Sequence, residues 1–126
     1  MAEAEAVLVA ALEAGGPTAR YCTELPASLS GDTVRITRIS GTDDGQFSVY
    51  EDAIVDFDCF ADTRQAARTL AYAVRDFLRN DLPGQTVGSA AFIVAVRSVN
   101  GPAWLPYDNT AVRRFIYTAQ VRIHSI

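Results

Sequence analysis

Two aspartates, Asp56 and Asp58, have the residue type and the spacing for chemistry, because they alternate with apolar residues along one predicted strand. Residues two apart on a strand share a face and lie about 7 Å apart. The two carboxylates could therefore bind a metal ion or act as an acid and a base, and a solvated strand face is the alternative. Together with Asp43 and Asp44 they predict an acidic face around the first hairpin.

The cysteines and the histidine do not form a recognisable site. Cys22, Cys59 and His124 are too few and too widely spaced for a zinc site. Cys59 alternates with apolar residues, as a buried thiol does, and Cys22 has no identifiable activating neighbour. We therefore predict two free thiols, no catalytic residue, no metal ligand and no cofactor-binding residue.

The least ordinary stretch is 100–109 (NGPAWLPYDN), which places a tryptophan and a tyrosine beside two prolines. Aromatic side chains in a proline-stiffened loop give contact area at a low ordering cost, which is typical of interface anchors. A loop folded back on its own sheet, with Trp104 covering the core, is the alternative. The candidate interface residues are Trp104, Leu105, Pro106, Tyr107, Arg113 and Arg114.

Hydrophobic periodicity predicts the elements that must position these residues. The predicted elements are a helix over 4–12, an irregular connector over 18–31, strands over 33–40 and 53–60, a helix over 63–80, and strands over 88–99 and 110–124. Segment 41–45 (GTDDG) lacks the pattern of a phosphate or calcium loop, so we predict a turn there. Asp62, with Gln65 three residues later, predicts the N-cap of the second helix.

The order helix, hairpin, helix, long hairpin predicts an α/β fold of the α+β kind, in which a mostly antiparallel or mixed sheet packs against helices. With 126 residues, 49% of them hydrophobic, the chain fits one domain spanning 1–126. Its net charge is −4 and every basic residue is arginine, which disfavours tight nucleic-acid binding. No apolar run is long enough to cross a bilayer, and no signal peptide is apparent, so we expect no membrane partner and a cytoplasmic site of synthesis and assembly.

Element lengths predict self-association. Segment 88–99 spans roughly 40 Å as a strand, whereas the helix over 63–80 is only about 27 Å long. The helix cannot cover the whole apolar face of the last hairpin. We therefore expect a homo-oligomer, built through a sheet edge or through the far end of this hairpin.

Two segments carry a resemblance to a known family. Segments 53–78 (AIVDFDCFADTRQAARTLAYAVRDFL) and 101–123 (GPAWLPYDNTAVRRFIYTAQVRI) resemble the tail terminator proteins of long-tailed, siphovirus-type bacteriophages, particularly those of actinobacterial hosts. The resemblance covers most of the chain from Thr33 onwards. It implies a structural virion protein rather than an enzyme.

The resemblance also implies an assembly. Such proteins form a ring, usually a hexamer, that caps the finished tail tube, stops its polymerisation and joins it to the neck of the filled head. The partners would be the major tail tube protein and a head-closure or neck protein, and DNA would pass through without tight binding. A negatively charged or neutral lumen would allow that passage, and Asp43, Asp44, Asp56 and Asp58 are candidates to line it. The arginines of the second helix would pair with acidic surface on a neighbouring subunit.

Three other functions remain open on the sequence. A head-closure or stopper protein of the same particle is also small and oligomeric, although such proteins tend towards β-barrels. A small ligand-binding α+β domain or enzyme would need convergent polar groups in a cleft, and the apolar stripe of the second helix offers none. A nucleic-acid-binding domain conflicts with the acidic balance and the absence of lysine.

Overall fold

A computed structural model describes residues 3–43, 50–89, 91–108 and 111–125. The helices are α1 (Ala4–Gly15) and α2 (Arg64–Asp76), and α2 continues as a π-helical turn (Phe77–Asp81). The strands are β1 (Arg20–Cys22), β2 (Thr33–Asp43), β3 (Tyr50–Ala61), β4 (Thr86–Val87), β5 (Ala91–Trp104) and β6 (Arg113–Ser125). The predicted combination of two helices with a mixed sheet is confirmed.

The strands form one six-stranded sheet in the order β1-β2-β3-β6-β5-β4. Among the described strands, only β1 and β2 run parallel, and the other neighbouring strands are antiparallel. Both predicted hairpins, β2/β3 and β5/β6, are present, and the pairing of β3 with β6 joins them at the centre of the sheet. Strands β1 and β4 were not predicted. They have three and two residues, too few for an alternating pattern to be visible in the sequence.

Helix α2 buries an apolar stripe on β3, β6 and β5. Its buried residues are Ala67, Leu70, Ala71 and Val74. The predicted N-cap is wrong by one residue, because Thr63, not Asp62, accepts the hydrogen bond from the Ala66 amide at 3.1 Å. The helical path extends to Asp81 through the π-helical turn, close to the predicted end at residue 80.

One face of the sheet forms the core with the two helices. On β3, Val55, Phe57 and Cys59 are fully buried on this face, as their alternation predicts. Tyr117 of β6 packs beside Phe57 with ring centroids 6.0 Å apart. Its hydroxyl shares a hydrogen bond of 2.7 Å with Ser98 of β5, so the largest buried side chain has its polar end satisfied.

The predicted turn at 41–45 is wrong for its first three residues, which continue β2 and pair with residues 51–53 of β3. Asp44 lies outside the described residues. Gly41 has a φ of 124°, and a Cβ placed on it would lie 2.0 Å from the Asp52 carbonyl oxygen. This glycine therefore allows the close approach of two strands rather than a chain reversal.

Strand β5 continues to Trp104, five residues beyond its predicted end at residue 99, so the first half of the predicted loop at 100–109 is strand. Three register irregularities along β5 interrupt the alternating pattern that would have predicted a strand here. Pro102 also argues against a strand in the sequence, but it is compatible with a strand edge, where no amide donor is needed. Strand β4 pairs only with Ala91 and Phe92. Among the described residues, the outer edge of β5 from Val94 to Trp104 therefore has no strand partner.

The helices cover the apolar face of the last hairpin more fully than the element lengths predict. The buried residues of β6 on this face include Phe115, Tyr117, Val121 and Ile123. Val94 instead lines a cleft with Asp52 and Arg122 of the opposite face. Along β5 and the residue after it, Val94, Val99 and Leu105 expose 38%, 45% and 37% of their surface. The neighbouring strand β6 is better covered, since Ala119 and Val121 are fully buried. The uncovered apolar surface is thus concentrated on β5.

Candidate interaction surfaces

Trp104 belongs to the end of β5 and lies on the helix side of the sheet. Its ring packs against Phe115 with centroids 5.8 Å apart, and the Arg64 guanidinium lies 4.8 Å from its ring centroid. Trp104 is half-buried against the core. It therefore covers the core, as one of the two alternatives predicts, and still presents surface.

The next candidate residues hold the loop against the opposite face of the sheet. The Tyr107 ring packs edge-on against Phe60 with centroids 5.0 Å apart, and the Arg114 guanidinium lies 5.1 Å from the Tyr107 centroid. Arg114 also donates a hydrogen bond of 2.9 Å to the Pro106 carbonyl. Tyr107 and Arg114 are thus engaged within the subunit, whereas the surfaces of Leu105 and Pro106 remain exposed.

Arg113 begins β6 and is half-buried. Its guanidinium donates to the Val112 carbonyl at 3.4 Å. The structure therefore separates the six candidate interface residues into an exposed pair, Leu105 and Pro106, and four that are half-buried with contacts inside the subunit.

The predicted acidic face is balanced by arginine. Asp58 is only 5% exposed, and its carboxylate pairs with Arg35 at 2.9 Å and with Arg114 at 3.9 Å. Asp56 accepts a hydrogen bond of 2.6 Å from Thr118. Asp58 is therefore neither solvated nor free to bind a metal ion.

Further along the same face, another aspartate is paired with an arginine. Asp52 forms a two-point contact with Arg122, at 2.9 and 3.0 Å, and this hydrogen bonding lowers the pKa of the Asp52 carboxyl. Arg97 donates to Gln120 at 2.6 Å. We call this surface, opposite the helices, the polar face; its charged residues are Arg35, Asp52, Asp56, Asp58, Arg97, Arg114 and Arg122. Asp43 lies at the end of β2 and Asp44 lies outside the described residues.

Sequence reasoning missed these pairs, although a signal was present. Arg35 lies opposite Asp58, and Asp52 lies opposite Arg122, in the registers of β2/β3 and β3/β6. Opposite charges at facing positions of neighbouring strands stabilise the pairing. Finding them required the register, which one sequence does not fix.

A groove lies between α2 and the end of the long hairpin, with a volume of about 620 Å³. We call it the arginine groove; its lining includes Arg64, Arg68, Tyr72, Pro102, Trp104 and Phe115. The Arg68 guanidinium lies 5.6 Å from the Tyr72 ring centroid, and the Arg75 guanidinium lies 4.6 Å from it. Such cation–π contacts hold the guanidinium groups in place without neutralising them.

The thiols and the histidine show no reactive arrangement within the described part of the chain. Both cysteines are free, and burial raises the pKa of the Cys59 thiol far above its usual range. Burial also raises the pKa of Cys22. His124 stacks on Tyr50 with ring centroids 4.8 Å apart.

Neither a metal-ligand cluster nor a membrane-spanning helix occurs in the described ranges. No group of three or more histidine, cysteine, aspartate or glutamate side chains there could hold a metal ion. Likewise, none of the described helices is long and apolar enough to cross a bilayer. The described surface instead offers grooves, exposed apolar residues and arginines, which are features of protein–protein contact.

Comparison with known proteins agrees with this description. A family model described as phage tail termination protein matches residues 1–124. A search of curated proteins finds no match. Among solved structures, the chain is similar to a chain of the virion of a native gene transfer agent (GTA) particle, with a TM-score of 0.72 and 17% identity over 95% of this chain and 93% of that one. That likeness shows a shared fold.

The family match covers nearly the whole chain and decides between the functions left open by the sequence. It names tail termination, not head closure, ligand binding or nucleic-acid recognition. The molecule is accordingly a structural protein of the virion tail and not an enzyme. The chain belongs to the phage tail termination protein family.

Proposed function

We propose that this protein forms a ring, most simply a hexamer, that caps the finished tail tube and stops its polymerisation. The exposed side of the ring would then receive the head-closure or neck protein and so join the tail to the filled head. The family match over residues 1–124 carries this proposal. The partially covered hairpin supports it, because apolar residues of β5 remain exposed in the isolated subunit.

The sheet edges support a ring over other assemblies. The outer edge of β5 and the β1 end of the sheet are different surfaces on opposite sides of the subunit. Contacts between two different surfaces are head-to-tail, and they close into a ring when the rotation between subunits allows it. A ring of this kind needs no second protein to complete it.

We also propose that the polar face, including Asp56 and Asp58, faces the lumen. Four arginines and three aspartates make this face nearly neutral, and most of them are already paired across strands. DNA phosphates gain little from arginines that are held by carboxylates. A lumen of this composition would let DNA slide through without holding it.

Electron microscopy of the purified chain tests the ring. We expect rings with a central hole in negative stain, and a mass several times 13.6 kDa by light scattering at high micromolar concentration. Mixing with purified tail tubes tests whether assembly needs the tube surface. A monodisperse monomer both alone and in the presence of tubes would contradict the proposal.

A further inference from the structure

The arginine groove has an apolar floor and a cationic rim. Phe115 and Trp104 form the floor with their edge-to-face contact, and Pro102 extends it along β5. Arg64 and Arg68 stand on the rim one helical turn apart on α2. Both arginines are exposed.

The rim arginines carry uncompensated charge. Arg35, Arg75 and Arg122 each form an ion pair. No described carboxylate pairs with Arg64 or Arg68, whose guanidinium groups rest on aromatic rings instead. Arg20 and Arg79 also lack a described carboxylate partner, but Arg64 and Arg68 bring two such cations to one groove. The groove therefore favours an acidic segment with apolar side chains.

Pairing of a partner's strand with the outer edge of β5 does not explain this site well. The register of β5 shifts between Ile93 and Ala95, between Ser98 and Asn100, and between Asn100 and Ala103. Pro102 has no amide proton to donate. Bulges and proline are devices that prevent an edge from pairing with another strand. Occupation of the groove by side chains, rather than by a new strand, fits this irregular edge.

The chain itself contains a segment with the required chemistry. The connector between β1 and β2, residues 23–32, exposes Glu24 and Asp32, and neither forms an ion pair with a described arginine. Leu25 and Leu29 of the same segment are half-buried, so they retain apolar surface for a contact. We call this segment the acidic connector.

The groove and the acidic connector lie on either side of α2, since Asp32 lines a cleft with Thr69 and Ala73 whereas the groove is lined by Arg64, Arg68 and Tyr72. The connector follows β1 at one edge, and the groove lies against β5 near the other, four strand positions away. None of the described residues of the connector lines the groove of its own subunit. A groove and a connector on each copy can be satisfied together by a neighbour on each side. Charge complementarity and position thus favour a second copy of this chain as the occupant.

We propose that the arginine groove of each subunit receives the acidic connector of the next copy, with Arg64 and Arg68 facing Glu24 and Asp32. This contact rests on the ring proposed above and specifies the surfaces that close it. The apolar floor would contact the leucines of the connector, and the two ion pairs would fix the orientation of the neighbouring subunits.

Reciprocal charge reversal tests the contact. The double variant R64E/R68E should associate at least ~100-fold more weakly, because each reversed interfacial charge is expected to weaken association roughly tenfold or more. The variant E24R/D32R should lose rings in the same way. Combining all four substitutions should restore rings, which a merely structural effect on either surface would not do. Mass photometry and negative stain of the full-length chains provide the readout.

Matched controls separate the contact from folding and from net charge. Arg79 is exposed on the π-helical turn outside the groove, so R79E changes the net charge of the same helical segment by as much as R68E and should leave rings intact. Glutamate at position 64, in the first turn of α2, interacts favourably with the free amides there, and position 68 is exposed. The groove variants should therefore keep the wild-type circular dichroism spectrum.

The outcomes that overturn the contact are distinct from those that overturn the ring. Intact rings of R64E/R68E, whether or not they still cap tails, would contradict the contact and leave the ring standing. If the quadruple variant folds but stays dissociated, that result would also contradict the contact. Wild-type protein that forms no ring, alone or with tubes, would contradict the ring itself.

Discussion

Replacing Gly41 with alanine should lower the free energy of unfolding by about 3 kcal/mol or more. At a φ of 124° an L-residue is strained, and the new methyl group would lie 2.0 Å from the Asp52 carbonyl oxygen and 2.9 Å from the Ala53 Cα. Both atoms are backbone, so β2 and β3 would have to move apart at this position. Urea denaturation at one fixed protein concentration measures the loss, since assembly also contributes to stability.

Gly31 provides the matched control. It also has a positive φ, 69°, but a Cβ placed there would have no atom within 4 Å. Gly31→Ala should therefore cost only the conformational strain, on the order of 1 kcal/mol. Equal losses for the two variants would mean that the close approach of β2 to β3 at Gly41 is not as described.

Replacing Asp58 with asparagine should cost about 2 to 3 kcal/mol of folding stability. Asparagine keeps the shape of the side chain but leaves Arg35 and Arg114 facing each other without a carboxylate between them. The side chain of Asp58 is only 7% exposed, so water cannot take the place of the carboxylate in stabilising the two arginines. The arginines are 30% and 17% exposed, which keeps the loss below that of a fully buried pair. Thermal and urea denaturation provide the measurement.

Asp76→Asn is the comparison for an exposed pair. Asp76 contacts Arg75 at 2.8 Å, but its side chain is 57% exposed. An ion pair of this kind contributes about 0.5 kcal/mol or less. If D58N were as mild as D76N, the polar face would be a solvated surface, as the sequence alone allowed, and not a network of paired charges.

The sequence predicts best those elements whose hydrophobic pattern repeats several times. The apolar stripe of α2 and the alternation of Val55, Phe57 and Cys59 continue for several repeats, and both elements are where the pattern places them. Short elements leave no such pattern, which is why β1 was predicted as connector. Gly41 and Pro102 signalled a turn and a loop, but they serve a close strand contact and a strand edge.

The sequence predicts some of the residues that form the candidate surfaces, but not which of them contact one another. The sequence identifies Trp104 and Asp58 as unusual in context, yet it does not show that the first lies over Phe115 or that the second lies between two arginines. Those contacts depend on strand register and on the crossing of α2 over the sheet. The arginine groove arises in the same way, because its helix and its strand are distant in the chain.

Tail length is the most direct test of the central proposal, that this chain ends tube growth. Electron micrographs of tails made during infection, with expression of this protein silenced and then restored from a second copy, provide the length distribution. We expect tubes longer than wild type and heads without tails when the protein is absent, and tails of uniform length joined to heads when it is restored. Tubes of wild-type length in its absence would contradict the proposal.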